Sequence, residues 1–189
     1  MRLSIELVTD SNGGATAAEV CRLVFERELG MNRAPAVDPL RSHTFLARLQ
    51  PNEKPVGTLT VLDTTGEDGL HRKYGLSFPE SAKVARYTRL AVLPPYRGMG
   101  ISLRLMYEAR RRFVLPERFE HSWLLFDAER AALSTLSMLL DFTAGDMVFL
   151  TEWGRTRVMV KSEARRAGEI RLGSPTSVIR RKIPLVNQS

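Results

Sequence analysis

The sequence predicts a single α/β domain in which a central mixed, twisted sheet is flanked by helices. Three observations lead there. Segments with the two-residue alternation of half-buried strands are interleaved with segments of helical periodicity. Gly, Pro and Asn turn signals separate them at short intervals. The 189 residues, 43% hydrophobic and 26% charged, match one globular core of ordinary size.

Each element follows in order. Leu3 to Val8 alternates as a strand; Gly13 and Gly14 break the chain, and Thr16-Ala17-Ala18-Glu19 reads as a capping box. The helix it starts carries Val20, Leu23 and Val24 on one stripe and ends at Gly30. Thr44 to Leu49 and Val56 to Leu62 are rich in β-formers, and Pro51-Asn52-Glu53-Lys54 joins them as a hairpin. Asp63 to Ser81 contains Gly66, Gly69, Gly75 and Pro79, shows no period, and reads as a long loop of the kind that forms a lid or substrate wall. Lys83 to Leu93 is a strand stopped by Pro94-Pro95, and Ile101 to Val114 is a basic helix with Leu103, Met106 and Tyr107 as apolar positions. Ser122 to Phe126 is a short strand, Glu129 to Phe142 a helix, and Met147 to Thr151 with Thr156 to Val160 a final pair around Trp153-Gly154. One domain spans 1–189, its core about 1–161 and a basic tail about 162–189. No internal repeat is visible, so function resides in a site and not in an array.

The formal charge is +7, from 28 Lys and Arg against 21 Asp and Glu, with clusters at Arg110-Arg111-Arg112, Arg165-Arg166 and Arg180-Arg181-Lys182. An acidic partner is expected, whether nucleic acid, a phosphorylated cofactor, anionic lipid or an acidic carrier protein. The single cysteine, Cys21, excludes an internal disulfide and a Cys-rich metal site; its place beside Val20 and Val24 suits a buried thiol. Glu6 interrupts the only stretch that could open a signal peptide, and no apolar run approaches ~18 residues, so a cytoplasmic protein without a membrane span is expected. His43, His71 and His121 lack metal-ligand spacing, and no metal is expected.

The segment Leu90-Ala91-Val92-Leu93-Pro94-Pro95-Tyr96-Arg97-Gly98-Met99-Gly100-Ile101-Ser102 sets a strand, a proline stop and a glycine turn directly before a helix. Its physics is anion binding. The first helical turn offers unpaired N–H groups and a positive dipole end, and glycines without Cβ atoms admit a phosphate to the backbone. A Walker loop is absent, and a dinucleotide fingerprint would need Gly where Leu103 stands. Val92-x-Pro94 followed by Arg97-Gly98-Met99-Gly100-Ile101-Ser102 resembles the acyl-donor loop of the Gcn5-related N-acetyltransferase (GNAT) superfamily, with Ser102 where Gly or Ala is usual. Within that superfamily, Phe25 to Gly30, Asp38, His43, Val56-Gly57-Thr58-Leu59 and Thr88-Arg89-Leu90-Ala91-Val92 resemble landmarks of the acyl-homoserine-lactone synthases and, more closely, of the bacterial long-chain N-acyl amino acid (N-acyltyrosine) synthases. The likeness spans about Thr16 to Lys161; Met31, Arg86 and Thr60 depart from the lactone synthases, which carry Trp, Glu and Arg there.

That resemblance implies a GNAT fold and transfer of a long fatty acyl group from acyl carrier protein to the α-amine of an amino acid such as tyrosine. It also implies that Val92, Arg97, Gly98, Met99, Gly100, Ile101 and Ser102 bind the acyl-phosphopantetheine co-substrate, with no permanently bound cofactor. The backbone at Val92 would polarise the thioester carbonyl. A Tyr that the superfamily often uses as acid is replaced by Ser137, leaving Tyr87, Thr88 and Arg89 as candidates to position a proton acceptor; Arg89 either binds an amino acid carboxylate or braces a loop. Arg104 and Arg111 lie two turns apart on the basic helix, with Arg110 and Arg112 beside them, and form either a carrier dock or a solvated face. Leu124, Phe126, Met138, Phe142, Met147 and Phe149 read as core or as walls of an acyl tunnel. The alternatives are an acetyl-CoA-dependent N-acetyltransferase, a homoserine-lactone synthase, and a basic nucleic-acid-binding module; the last lacks an RNA-binding aromatic signature and a helix-turn-helix.

Overall fold

The computed structural model describes residues 2–31, 38–127, 139–151, 154–163 and 171–172. Its frame is a seven-stranded mixed sheet. In chain order the strands are β1 (Arg2–Leu7), β2 (Ser42–Gln50), β3 (Lys54–Asp63), β5 (Val84–Val92), β6 (His121–Asp127), β7 (Thr143–Thr151) and β8 (Gly154–Ser162), arranged β1-β2-β3-β5-β6-β8-β7. Every neighbouring pair is antiparallel except β5 and β6, which run parallel and are joined by helix α3 (Ile101–Ala109), a crossover that a parallel pair requires. A small second sheet pairs β4 (Leu76–Ser77) with β9 (Arg171–Leu172).

Helix α1 (Ser11–Arg22) begins earlier than the sequence suggests. Asp10, not Thr16, is its cap, accepting from the Gly13 N–H at 2.7 Å, while the Thr16 hydroxyl turns back to the Asn12 carbonyl inside the helix. A Cβ at Gly13 would come within 3.1 Å of the Val8 side chain, so the glycine lets the helix turn tightly off β1 instead of breaking it. The helix continues as a wider π turn (Leu23–Glu28) and closes at Gly30, whose φ of +66° suits a residue without Cβ.

The stretch from Asp63 to Ser81 is not a structureless lid. It folds into helix α2 (Asp68–Lys73) and β4, and buries Tyr74 and Leu76 with Val84, Trp123, Val158 and Val160. The Thr64 hydroxyl, accepting from the Trp123 Nε1–H at 3.2 Å and lying 3.1 Å from His71 Nε2, ties this stretch down. Burial of such side chains is worth ~2 kcal/mol each, which explains why a glycine-rich sequence is ordered here. On the opposite face α3 covers Phe45, Val56, Leu59, Val61, Tyr87 and Leu124. Gly57 permits that seat, because a Cβ there would meet the Ala91 carbonyl at 3.0 Å and the Ile101 and Leu105 side chains at 3.2 and 3.3 Å. The helix expected from Glu129 to Phe142, apart from its end, lies outside the described residues, as do Trp153 and nearly all of the tail. No helix among the described residues is long and apolar enough to cross a membrane.

Candidate active site

Strands β5 and β6 stay together only from Val84–His121 to Tyr87–Leu124, and beyond Tyr87 they part. The parting coincides with a bulge. Across β3, Thr60 faces Thr88 and Thr58 faces Ala91, so β5 has one residue too many, and Arg89 absorbs it with a φ of +52°. A positive φ on a non-glycine costs roughly 1–2 kcal/mol and re-aims the chain. Strict alternation would send Arg89 to the α3 face with Tyr87; the bulge delivers it to the α1 face and reverses the alternation of Leu90, Ala91 and Val92. At the strand end the Leu93 N–H donates to the Val56 carbonyl of β3 at 2.9 Å. By alternation the N–H groups of Leu90 and Val92 then point away from β3, into the open wedge.

The glycine turn closes that wedge. After a single 3₁₀ turn (Pro94–Tyr96), Gly98 and Gly100 adopt φ of +76° and +73°, and Gly100 caps α3 with no side-chain bond. The first α3 bond runs from the Arg104 N–H to the Gly100 carbonyl at 3.0 Å, so the N–H groups of Ile101, Ser102 and Leu103 lack intrahelical acceptors. A Cβ built on either glycine would meet nothing within 4 Å; space lies in front of the backbone. Met99 is half exposed at the rim. Arg97, beside it, is engaged by other groups of this chain. Its Nε donates to the Val92 carbonyl at 3.0 Å, and its two terminal nitrogens grip both Glu28 oxygens at 2.5 Å.

On the α1 face a cavity of about 200 Å³ lies between α1 and strands β2, β3 and β5. Arg89, Cys21 and the hydroxyls of Ser42, Thr44, Thr58 and Thr60 line it. Thr44 and Thr60 are bonded to each other at 3.0 Å, and Thr58 donates to the Phe45 carbonyl at 3.0 Å. Burial pushes the Cys21 thiol up to about 11, so it stays protonated and inert despite the nearby Arg89 charge. Of the sequence candidates, Thr88 is half-buried opposite Thr60. Tyr87 belongs to the core; burial first, and the Glu163 carboxylate second, hold its phenol far above the ordinary range, and its ring packs edge-on against Phe142. The structure therefore separates Tyr87 from Thr88 and Arg89. Arg86 stacks over Trp123 at 4.7 Å, away from the wedge, and its burial makes the charged form harder to hold.

The basic helix is divided as well. Arg104, Arg111 and Arg112 line a groove of about 620 Å³ between α3 and β1, joined by Arg2 and one acid, Glu108. Arg111 pairs with Glu108 at 2.8 Å, and Arg112 donates to the Ile5 carbonyl at 3.0 Å. Arg110 is elsewhere: its Nε meets the buried Glu163 carboxylate at 2.6 Å, which also accepts from the Ser122 hydroxyl at 2.9 Å. The residues read as possible tunnel walls are split between faces, Leu124, Phe126 and Phe142 on one and Phe149 on the other, while Met138 and the Met147 side chain lie outside the described residues. Sequence reading missed Glu28, Arg2 and the threonine row; the spacing of Thr58 and Thr60 on one strand face was the available signal for the last. Among the described residues no group of three or more His, Cys, Asp or Glu side chains gathers as a metal site.

A family model described as the acetyltransferase (GNAT) family matches residues 19–134. Curated proteins offer no match to the sequence. Among solved structures, FeeM, an N-acyl amino acid synthase from uncultured soil microbes, superposes with a TM-score of 0.63 at 14% identity, covering 85% of this chain and 91% of its own. Arabidopsis thaliana NAA60, in complex with a bisubstrate analogue, gives 0.63 at 12% identity, covering 85% and 98%. An acyl-CoA N-acyltransferase from Pseudomonas aeruginosa gives 0.55 at 15%, covering 85% and 99%. These likenesses establish a shared fold.

Proposed function

Since the chain belongs to the acetyltransferase (GNAT) family, and its reaction is therefore acyl transfer from a thioester to an amine, we propose that it is an N-acyl amino acid synthase. In this reading one domain carries a long-chain acyl group from acyl carrier protein to the α-amine of an amino acid, tyrosine by resemblance. The observation that carries the acyl-transfer part is the wedge beyond Tyr87, which ends at the two positive-φ glycines before α3.

The donor phosphate would rest on the backbone from Gly98 to Ser102, where N–H groups and the helix dipole converge. The pantetheine arm would run along the open edge of β5 and bond the Leu90 and Val92 N–H groups. One of these N–H groups stabilises the oxyanion that forms when the amine nitrogen attacks the thioester carbon. The C–N bond forms, the C–S bond breaks, and the thiol leaves with a proton. The amine enters from the α1 side, where Arg89 suits a carboxylate head group. Because the Tyr87 phenol is buried and stays protonated, the amine's proton leaves to water beside Thr88.

Support for the carrier is electrostatic: Arg2, Arg104, Arg111 and Arg112 bring four cations against one acid into a groove on the helix that starts at the phosphate turn. Chain length and head group rest on the sequence resemblance and on the FeeM likeness in fold. Incubating the purified protein with palmitoyl carrier protein, acetyl-CoA and an amino acid mixture, then identifying products by mass spectrometry, tests the reading. N-palmitoyl amino acids support it. Acetylated amines alone assign an acetyltransferase, and acyl homoserine lactone assigns the lactone branch.

A further inference from the structure

Arg97 is the only cationic side chain between Pro94 and Ser102, yet each of its three guanidinium nitrogens already donates to a group of this chain. Glu28, at the end of the α1 extension, takes two of them in a forked pair, and the Val92 carbonyl takes the third. A carboxylate is thus held at the mouth of an anion site. It cancels the Arg97 charge there, so the pair is close to neutral. An approaching phosphate feels this in proportion to the charge it carries.

We propose that Glu28 is a donor-selecting residue: by neutralising Arg97 it disfavours donors that bring a pyrophosphate and a further ribose phosphate more strongly than a carrier-bound phosphopantetheine. This rests on the acyl-donor reading of the glycine turn. Coenzyme A presents two linked phosphoryl groups at that turn, whereas pantetheine on a carrier serine presents one phosphodiester. In water a unit charge about 7 Å from a phosphate charge changes affinity about threefold, which sets the scale of the effect for each phosphate charge. A pyrophosphate is therefore penalised about tenfold and a phosphodiester about threefold. Glu28 and Arg97 have side-chain exposures of 30% and 38%, so solvent keeps the effect at this modest size and salt screens it.

The test is Glu28→Gln, which keeps the shape and removes the charge. The KM for acyl-CoA should fall about tenfold and the KM for acyl carrier protein by no more than about threefold, and the difference should fade in 0.5 M salt. Calorimetric titration with CoA should show the same tightening without turnover, and Glu28→Asp should restore the wild-type preference. If Glu28 only fastens the end of α1, Glu28→Gln will raise the amino acid KM and leave the two donor constants in their wild-type ratio, which overturns the proposal. A weaker CoA affinity overturns it equally. Wild-type protein that turns over neither donor would instead overturn the acyl-donor reading itself.

Discussion

Replacing Gly100 by Asp tests the donor turn most directly. Gly100 has a φ of +73°, and a Cβ there would meet nothing within 4 Å, so the substitution introduces strain and charge but no clash. Backbone strain for an L-residue in this region costs roughly 1–2 kcal/mol, and less for Asn or Asp than for others. A carboxylate about 5 Å from a phosphate costs about 1 kcal/mol at the dielectric of water and about 3 kcal/mol at an effective constant of 20. The strain is the same in free and donor-bound enzyme and so falls on stability, whereas the charge predicts a fall of about 5- to 150-fold in kcat/KM, at about 1.4 kcal/mol per factor of ten. Gly100→Asn has the same shape and the same strain without the charge; it should lose no more than about twofold. Steady-state turnover of both variants, with thermal melts to confirm that each folds, separates charge from geometry. If Gly100→Asp and Gly100→Asn are equally active, no phosphate approaches this backbone and the reasoning fails.

Three further outcomes follow from the site and the core. Reversing charge at Arg104 and Arg111 should raise the KM for acyl carrier protein at least tenfold while changing that for a small acyl-pantetheine less than twofold; an equal response of both donors would show that the α3 groove is not the dock. Arg89→Leu should raise the amino acid KM by about 10- to 100-fold and the donor KM less than threefold, and acylation of a simple amine without a carboxylate should be nearly unaffected; an equal loss on both acceptors would make Arg89 a brace. His43, His71 and His121 are each held below the ordinary histidine range, chiefly by burial. Their folded values lie below the unfolded value of ~6.5, so the unfolded chain takes up protons first as pH falls. The stability from keeping them neutral is complete above about pH 6.5 and is lost as pH falls through the depressed folded values. Melting temperature should therefore drop between pH 7.5 and 5, and His121→Phe should flatten that drop, because both His121 ring nitrogens are buried without a hydrogen-bond partner among the described residues. A pH-independent melt would refute the account.

Local chemistry made much of this protein legible in one dimension. Alternation, proline stops and turn residues marked the strands of the β2–β3 hairpin and β5, because these signals depend on neighbours two or three residues apart. The Arg97 to Ser102 turn was equally readable, since a positive-φ glycine and a helix N-terminus are properties of the segment itself. Tertiary structure decided the rest. Nothing local foretells that Arg89 absorbs a bulge and so changes faces; that depends on β3 pairing with β5 out of step. The order in Asp68 to Ser77 comes from Trp123 and Val160, far along the chain, and the partition of Arg110 from Arg111 from a glutamate 53 residues away. The fork between Glu28 and Arg97 joins residues 69 apart. Contacts at such separations are settled by which faces the whole sheet buries, and a pattern that spans a few residues carries no record of them.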